Sequence, residues 1–292
     1  MSIANSGVLV DLNISVWTGR KLDKQVSTEV DQAKSTKTKA GNYNKNLFAG
    51  TDKLEKVASV AGKIRNWHQR QTLPWSDSGT RLLPMANFFE YKQLLSQYEI
   101  EFQQAVDEFV DAYPTLISAA AFQIGALFNR DDYPQPDALH KKFAVRYSFT
   151  PVPLAGDFRV DADAETQAEL KQHYEQLYKR KEEETARDLW GRLHAYLTGF
   201  AERLEKKGKD TYTTNDGRTR SAPLHESQLL NGVELCDLLS RLNVMNDPDL
   251  ESARKQLEAA LEGITIKDLR KSEALQVEVK QKVRGILDKF DF

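Results

Sequence analysis

The segment Lys63-Ile64-Arg65-Asn66-Trp67-His68-Gln69-Arg70 alternates cations with an indole and an imidazole. Ammonium and guanidinium groups neutralise phosphates, and an aromatic face stacks on an unpaired base, so this spacing suits nucleic-acid binding. Arg20, Lys21, Lys34, Lys37, Lys39 and Lys45 carry the same chemistry. Together with Lys63, Arg65, Trp67 and Arg70 they make up the candidate nucleic-acid site. The competing reading is that Trp67 anchors a helix end to the core while the cations stay solvated. Arg218 and Arg220 leave the same choice open, between touching a backbone and keeping a strand edge soluble.

Other chemistry finds little support. The histidines are His68, His140, His173, His194 and His225, and none stands three or four residues from another, so a helical metal pair is missing. Isolated surface or capping roles are expected for them, with His194 partly buried. Phosphate-cradling glycine loops and a GxSxG elbow are likewise missing, and Glu182–Glu184 lies in a charge run that a solvated helix face explains. The chain is therefore expected to be no enzyme and to use no metal and no cofactor, although an enzyme with scattered site residues would escape this test. Cys236, the single cysteine, stands among Leu235, Leu238 and Leu239 and reads as a small buried apolar residue. One cysteine excludes an intrachain disulfide framework and fits a reducing compartment. Asp11 and Asn13 interrupt the apolar N-terminal stretch, which has no basic region before it, so it does not read as a signal peptide. No run approaches 18 apolar residues. A cytoplasmic protein with no membrane association is expected.

The elements that must carry these residues follow from periodicity. Val8 to Trp17 alternates, with Val10, Leu12, Ile14 and Val16 on one face, as a half-buried strand does. Thr18-Gly19 turns the chain, and Arg20 to Asn46 reads as a mobile loop or a weakly helical basic arm. Helical spacing returns over Leu47–Arg70 and again from Asn87. Pro114 is expected to end that second helix or to start its successor. Thr115–Phe128 is so apolar that it reads as the central buried helix. Phe143–Thr150 alternates again and is expected to pair with the first strand. A long amphipathic helix follows, roughly Asp163 to Lys207, capped by Lys206-Lys207-Gly208-Lys209. Its stripe is sparse near Lys179–Glu184 and aromatic near Trp190–Phe200, and the aromatic half is expected to dock on Asn87–Phe128. Two β-prone arms around Asn215-Asp216-Gly217 suggest a hairpin, and helical pieces Leu224–Leu242, Asp249–Gly263 and Ile266–Phe290 complete the chain.

The expected fold class is thus mainly α, a long amphipathic helix packed on a helical bundle with a small accessory β-sheet or hairpin. With 292 residues, one large domain or two are both compatible with a sizeable core. The division read from the sequence is 1–160, an N-terminal helical region with the β element and basic arm, and 161–292, the long helix and C-terminal helices. Residues 1–75 hold 12 Lys and Arg against 6 Asp and Glu, while the net charge of the whole chain is −2. Such asymmetry marks an anion-binding face or lets two parts of one fold, or two subunits, attract each other.

Three stretches carry a resemblance: Asp11-Leu-Asn-Ile-Ser-Val-Trp-Thr-Gly-Arg-Lys-Leu22, Arg81-Leu-Leu-Pro84, and Asn231 followed by Leu238, Leu239, Leu242-Asn243 and Asn246-Asp-Pro248. They resemble an uncharacterised family of phage and mobile-element proteins, encoded near a MoxR-type AAA+ ATPase and a von Willebrand factor A domain protein. The resemblance implies an accessory or adaptor role in a bacterial host cell, with those two proteins as partners and action on DNA or nucleoprotein. Self-assembly into a homo-oligomer through the helices is expected separately. It supplies no catalytic residues. The alternative is a structural or counter-defence protein that binds a host protein.

Overall fold

The computed structural model describes residues 6–153, 163–206, 211–213, 219–221 and 224–290. The chain is mainly helical with a small antiparallel sheet. Its contacts divide it into two compact units: unit 1 comprises Met1–Val10, Gln71–Phe89 and Phe149–Phe292, and unit 2 comprises Asp11–Arg70 and Glu90–Ser148. The units are interleaved along the chain, whereas the sequence reading places 1–160 and 161–292 in succession.

The sheet has the order β4-β5-β1-β6, from β1 (Gly7–Ser15), β4 (Leu73–Pro74), β5 (Arg81–Pro84) and β6 (Ala144–Pro151). β1 and β6 are neighbours, as their shared alternation predicts. Proline-rich 74–84, whose composition suggests mere punctuation, supplies two further strands, with Val8 opposite Leu83 and Leu73 opposite Leu82. Leu82 and Leu83 are fully buried, so Arg81-Leu-Leu-Pro84 is explained by packing. Arg81 donates from Nε to Thr72 Oγ1 at 2.7 Å and, like Arg192, also to the Thr72 carbonyl.

Unit 2 is built on α2 (Lys53–Gln71) and α3 (Phe88–Gln123), followed by the short α4 (Pro136–Leu139). Leu54, Val57, Ala61 and Ile64 face Phe102, Val106, Phe109, Tyr113, Ile117 and Ala120, each set at three- and four-residue steps. α3 runs straight through Pro114, which corrects the expected break. The missing N–H and ring clash cost about 3 kcal/mol. Burial of Tyr113, Ile117 and Ala120 around it offsets this at about 1.5–3 kcal/mol for each large side chain. The turn after Pro114 is also less buried than its composition suggests: only Ile117 and Ala120 are covered, and Phe122 is 90% exposed.

The segment 20–46 is folded, which corrects the reading of it as a loop or arm. β2 (Arg20–Asp23) and β3 (Tyr43–Asn46) pair antiparallel and flank α1 (Lys24–Ala33). Asp23 caps α1 by accepting the Val26 N–H at 3.1 Å. Buried Ser27 donates to the Asp23 carbonyl and accepts from the Tyr43 N–H at 2.9 Å, tying helix to strand. Asp31 accepts the Ala40 N–H at 3.2 Å and closes the turn that holds Lys34, Lys37 and Lys39.

Unit 1 gathers α5 (Ala164–Lys206), α6 (Glu226–Leu242), α7 (Pro248–Leu261), α8 (Ile266–Lys271) and α9 (Glu273–Lys289). On α5 no described residue before Thr185 is buried; then Leu189, Leu193, Leu197, Phe200 and Leu204 are. These five pack with Leu239 and Leu242 of α6, Leu257 of α7 and Val279 and Val283 of α9. Their partners are therefore the C-terminal helices. The α3 residues belong to the other hydrophobic cluster, against the expectation that the aromatic half of α5 docks on Asn87–Phe128. α6 approaches so closely that a Cβ on Gly232 would lie 2.6 Å from Leu261 Cδ1 and clash with the Tyr196 hydroxyl. The stretch Asn243–Pro248 forms the α6–α7 corner. The Asn243 amide bonds both the carbonyl and the N–H of Asp247, Asn246 takes φ +53°, and Asp247 caps α7 with Pro248 in its first turn. Trp190 Nε1 donates to Asp247 at 3.0 Å.

β7 (Thr211–Thr213) and β8 (Thr219–Ser221) pair antiparallel, as the two expected arms require. The Asn215-Asp216-Gly217 turn, Arg218 and the cap signal 207–209 lie outside the described residues. No helix among the described residues is long and apolar enough to cross a membrane.

Candidate nucleic-acid interface

α2 positions Lys63, Arg65, Trp67, His68 and Arg70, and its burial pattern sorts them. Trp67 lies on the half-buried side, stacked on Tyr91 at 4.6 Å and 20° and 4.9 Å from the Tyr98 ring. Its ring thus anchors α2 to α3, the competing reading of the sequence. His68 is buried, with Nδ1 2.7 Å from the Tyr91 hydroxyl, which corrects the expected surface role. His194 in turn is exposed rather than partly buried, because it falls to one side of the Leu189–Leu193–Leu197 stripe. Lys63 is exposed, paired with Glu101 at 2.8 Å and 5.1 Å from the Tyr98 ring centroid; the Glu101 carboxylate holds its ammonium above its ordinary value. Arg65 donates to the Ile14 carbonyl at 2.7 Å. Arg70 is exposed near the end of α2.

Lys45 leaves the exposed basic set. It is buried, with Asp132 at 2.8 Å, Asp23 at 3.3 Å and the Leu127 carbonyl at 2.7 Å from its ammonium. These three oxygen partners hold it under cover, while Lys21, its register partner on the same face of the β2–β3 pair, remains exposed. Arg20, Lys34, Lys37 and Lys39 are also exposed. Lys37 and Lys39 line a shallow hollow over α1 with Asp31.

Arg20 and Arg65, far apart in sequence, meet at a pocket of about 430 Å³ between the end of β1, β2 and α2. Trp17, Phe48 and Leu54 give it an apolar wall, and Glu55 and Ala58 of α2 complete one side. Trp17 is half-buried, edge-on to Phe48 at 5.6 Å. The Lys142 ammonium sits 5.8 Å from its ring centroid, a favourable placement over an indole. Such a pocket accepts a flat ring carrying an anionic group. Trp17 and Lys142 escape the sequence reading: alternation assigns Trp17 to the polar face of a strand, and Lys141-Lys142 is an isolated basic pair before β6.

Among the described residues no group of three or more His, Cys, Asp and Glu is placed to hold a metal. Cys236 is buried, and burial pushes its thiol up to about 11. The folded protein should therefore resist iodoacetamide at pH 8, with labelling appearing in step with urea unfolding; rapid labelling of native protein by mass spectrometry would contradict this.

No family profile, curated protein or solved structure matches this chain.

Proposed function

We infer that this chain is a non-enzymatic nucleic-acid-binding accessory protein of a phage or mobile element. It self-assembles or acts as an adaptor to a MoxR-type AAA+ ATPase and its von Willebrand factor A domain partner. The observation that carries the nucleic-acid part is the pocket of Trp17 and Phe48 flanked by Arg20 and Arg65, with exposed Lys21, Lys34, Lys37 and Lys39 in the same unit. Cations on the surface hold phosphates, and an apolar aromatic wall offers a place for a ring. The interaction part draws on the resemblance.

Charge reversal tests this. Lys21→Glu, Lys34→Glu, Lys37→Glu and Lys39→Glu together should weaken oligonucleotide binding at least about tenfold. They should also flatten the salt dependence, whose slope on single strands is about −0.7 per phosphate contacted. Fluorescence anisotropy at several salt concentrations reads both. Salt-insensitive binding, or a quadruple variant that binds as the parent does, overturns the nucleic-acid part and favours a protein that binds a host protein. A monomer that fails to retain the ATPase overturns the adaptor part.

A further inference from the structure

We propose that the Trp17–Phe48 pocket takes one unpaired nucleobase bearing an exocyclic amine, its phosphate lying on Arg20 and Arg65, so that the protein prefers single strands. This rests on the nucleic-acid reading above and names the substrate class of that surface.

A pocket of about 430 Å³ is at the small end of ligand sites, about 300–1,000 Å³, and suits one ring with its sugar better than a paired step. A base within a duplex cannot enter it, because its faces are occupied by neighbouring bases; entry requires a base already unpaired or extruded. The wall chemistry divides into two ends. Trp17, Phe48 and Leu54 present aromatic and aliphatic carbon, which is sequence-tolerant because every base has a π-face. Arg20 and Arg65 bring positive charge. Glu55 adds the single carboxylate of the lining. A carboxylate only accepts hydrogen bonds, so it repels a phosphate and receives the amine of cytosine, adenine or guanine, whereas thymine offers a carbonyl there.

The same ring and phosphate occur in a free nucleotide, and the experiment separates the sources. The 292-residue chain is titrated against labelled oligo(dC), oligo(dT) and a duplex of equal length, with cytidine monophosphate as competitor. Oligo(dC) should bind about tenfold tighter than the duplex and about fivefold tighter than oligo(dT). Ala58→Leu, an exposed wall position, should fill the pocket and erase the single-strand preference without lowering the melting temperature. Glu55→Gln should shrink the oligo(dC) advantage over oligo(dT). Millimolar cytidine monophosphate that displaces oligo(dC) but not duplex supports the pocket; if it instead binds in the micromolar range while strands do not bind, the ligand is a free nucleotide and the single-strand assignment falls. Equal affinity for strand and duplex, untouched by Ala58→Leu, overturns the pocket and leaves the lysine surface standing. Failure of every oligonucleotide to bind overturns both.

Discussion

Gly19→Ala is expected to destabilise the protein by about 2–5 kcal/mol, more than the same change at the other glycines of unit 2. Gly19 joins β1 to β2 at φ +61°, where an L side chain strains the backbone, at about 1–2 kcal/mol. A Cβ there would also lie 2.5 Å from Leu54 Cδ2 and 3.1 Å from Phe48 Cδ2, so the pocket wall must shift, an overpacking cost of about 1–3 kcal/mol. The Gly19 carbonyl accepts the Leu47 N–H at 2.8 Å, which prevents the corner from relaxing freely. Gly125→Ala is the control. Gly125 has φ +54°, and a Cβ added to it would meet nothing within 4 Å, so it carries the backbone strain alone. Urea unfolding of the full chain compares the two; a Gly19→Ala variant no less stable than Gly125→Ala would show that the corner yields without disturbing Leu54 and Phe48.

Lys45→Met should cost about 3 kcal/mol at pH 7 and much less at pH 3. The methionine keeps the volume but leaves Asp23 and Asp132 as two screened-off carboxylates sharing one site, and a buried pair stripped of one partner loses about this much. The pH dependence follows from the two shifts. The Val26 N–H, with Lys45 adding to it, holds the Asp23 carboxyl below its ordinary 3.8. Its contribution is therefore complete above about pH 4 and lost as pH falls through the lower folded value. For Lys45, burial pushes the ammonium down, and the bonds to Asp132 and Asp23 more than offset this, leaving it above 10.5. Its contribution is complete below that value and lost as pH rises through the folded one. The parent should thus be most stable between these limits, and the variant should lack the alkaline loss. Equal destabilisation at pH 7 and pH 3 would rule out the carboxylate pair as the cause.

Lys45 also shows where sequence reading stops. It is legible as one of several lysines in a polar stretch, because composition reports charge but not that the fold gathers Asp23, Asp132 and the Leu127 carbonyl around one of them. The β2–α1–β3 fold is illegible for a related reason. Its core contribution is small and polar, a capping carboxylate and the Ser27 hydroxyl, so no apolar period announces it. By contrast α2, α5 and the α6–α9 region carry their apolar stripes openly, and the pairing of β1 with β6 follows from matched alternation. Pro114 misleads because its local cost is visible in the sequence and the burial on either side of it is not. The phosphate-binding candidates Arg20 and Arg65 are legible as residue types; that they share a pocket with Trp17 depends on contacts between segments 45 residues apart, which no spacing rule reaches. The stretches that carry the family resemblance turn out to be corners and buried strands: Gly19, Arg81–Pro84 and Asn243–Pro248.

The interleaving of the units has a consequence for how the chain is made on the ribosome. All of unit 2 has been synthesised once Ser148 emerges, whereas unit 1 still awaits Phe149–Phe292. At roughly 5–20 residues per second that wait is on the order of 10 s. During it Leu9, Leu73 and Leu82, which end up buried with the C-terminal helices, are without those helical partners, so a nascent chain stalled in this interval is the form in which a chaperone has most to hold.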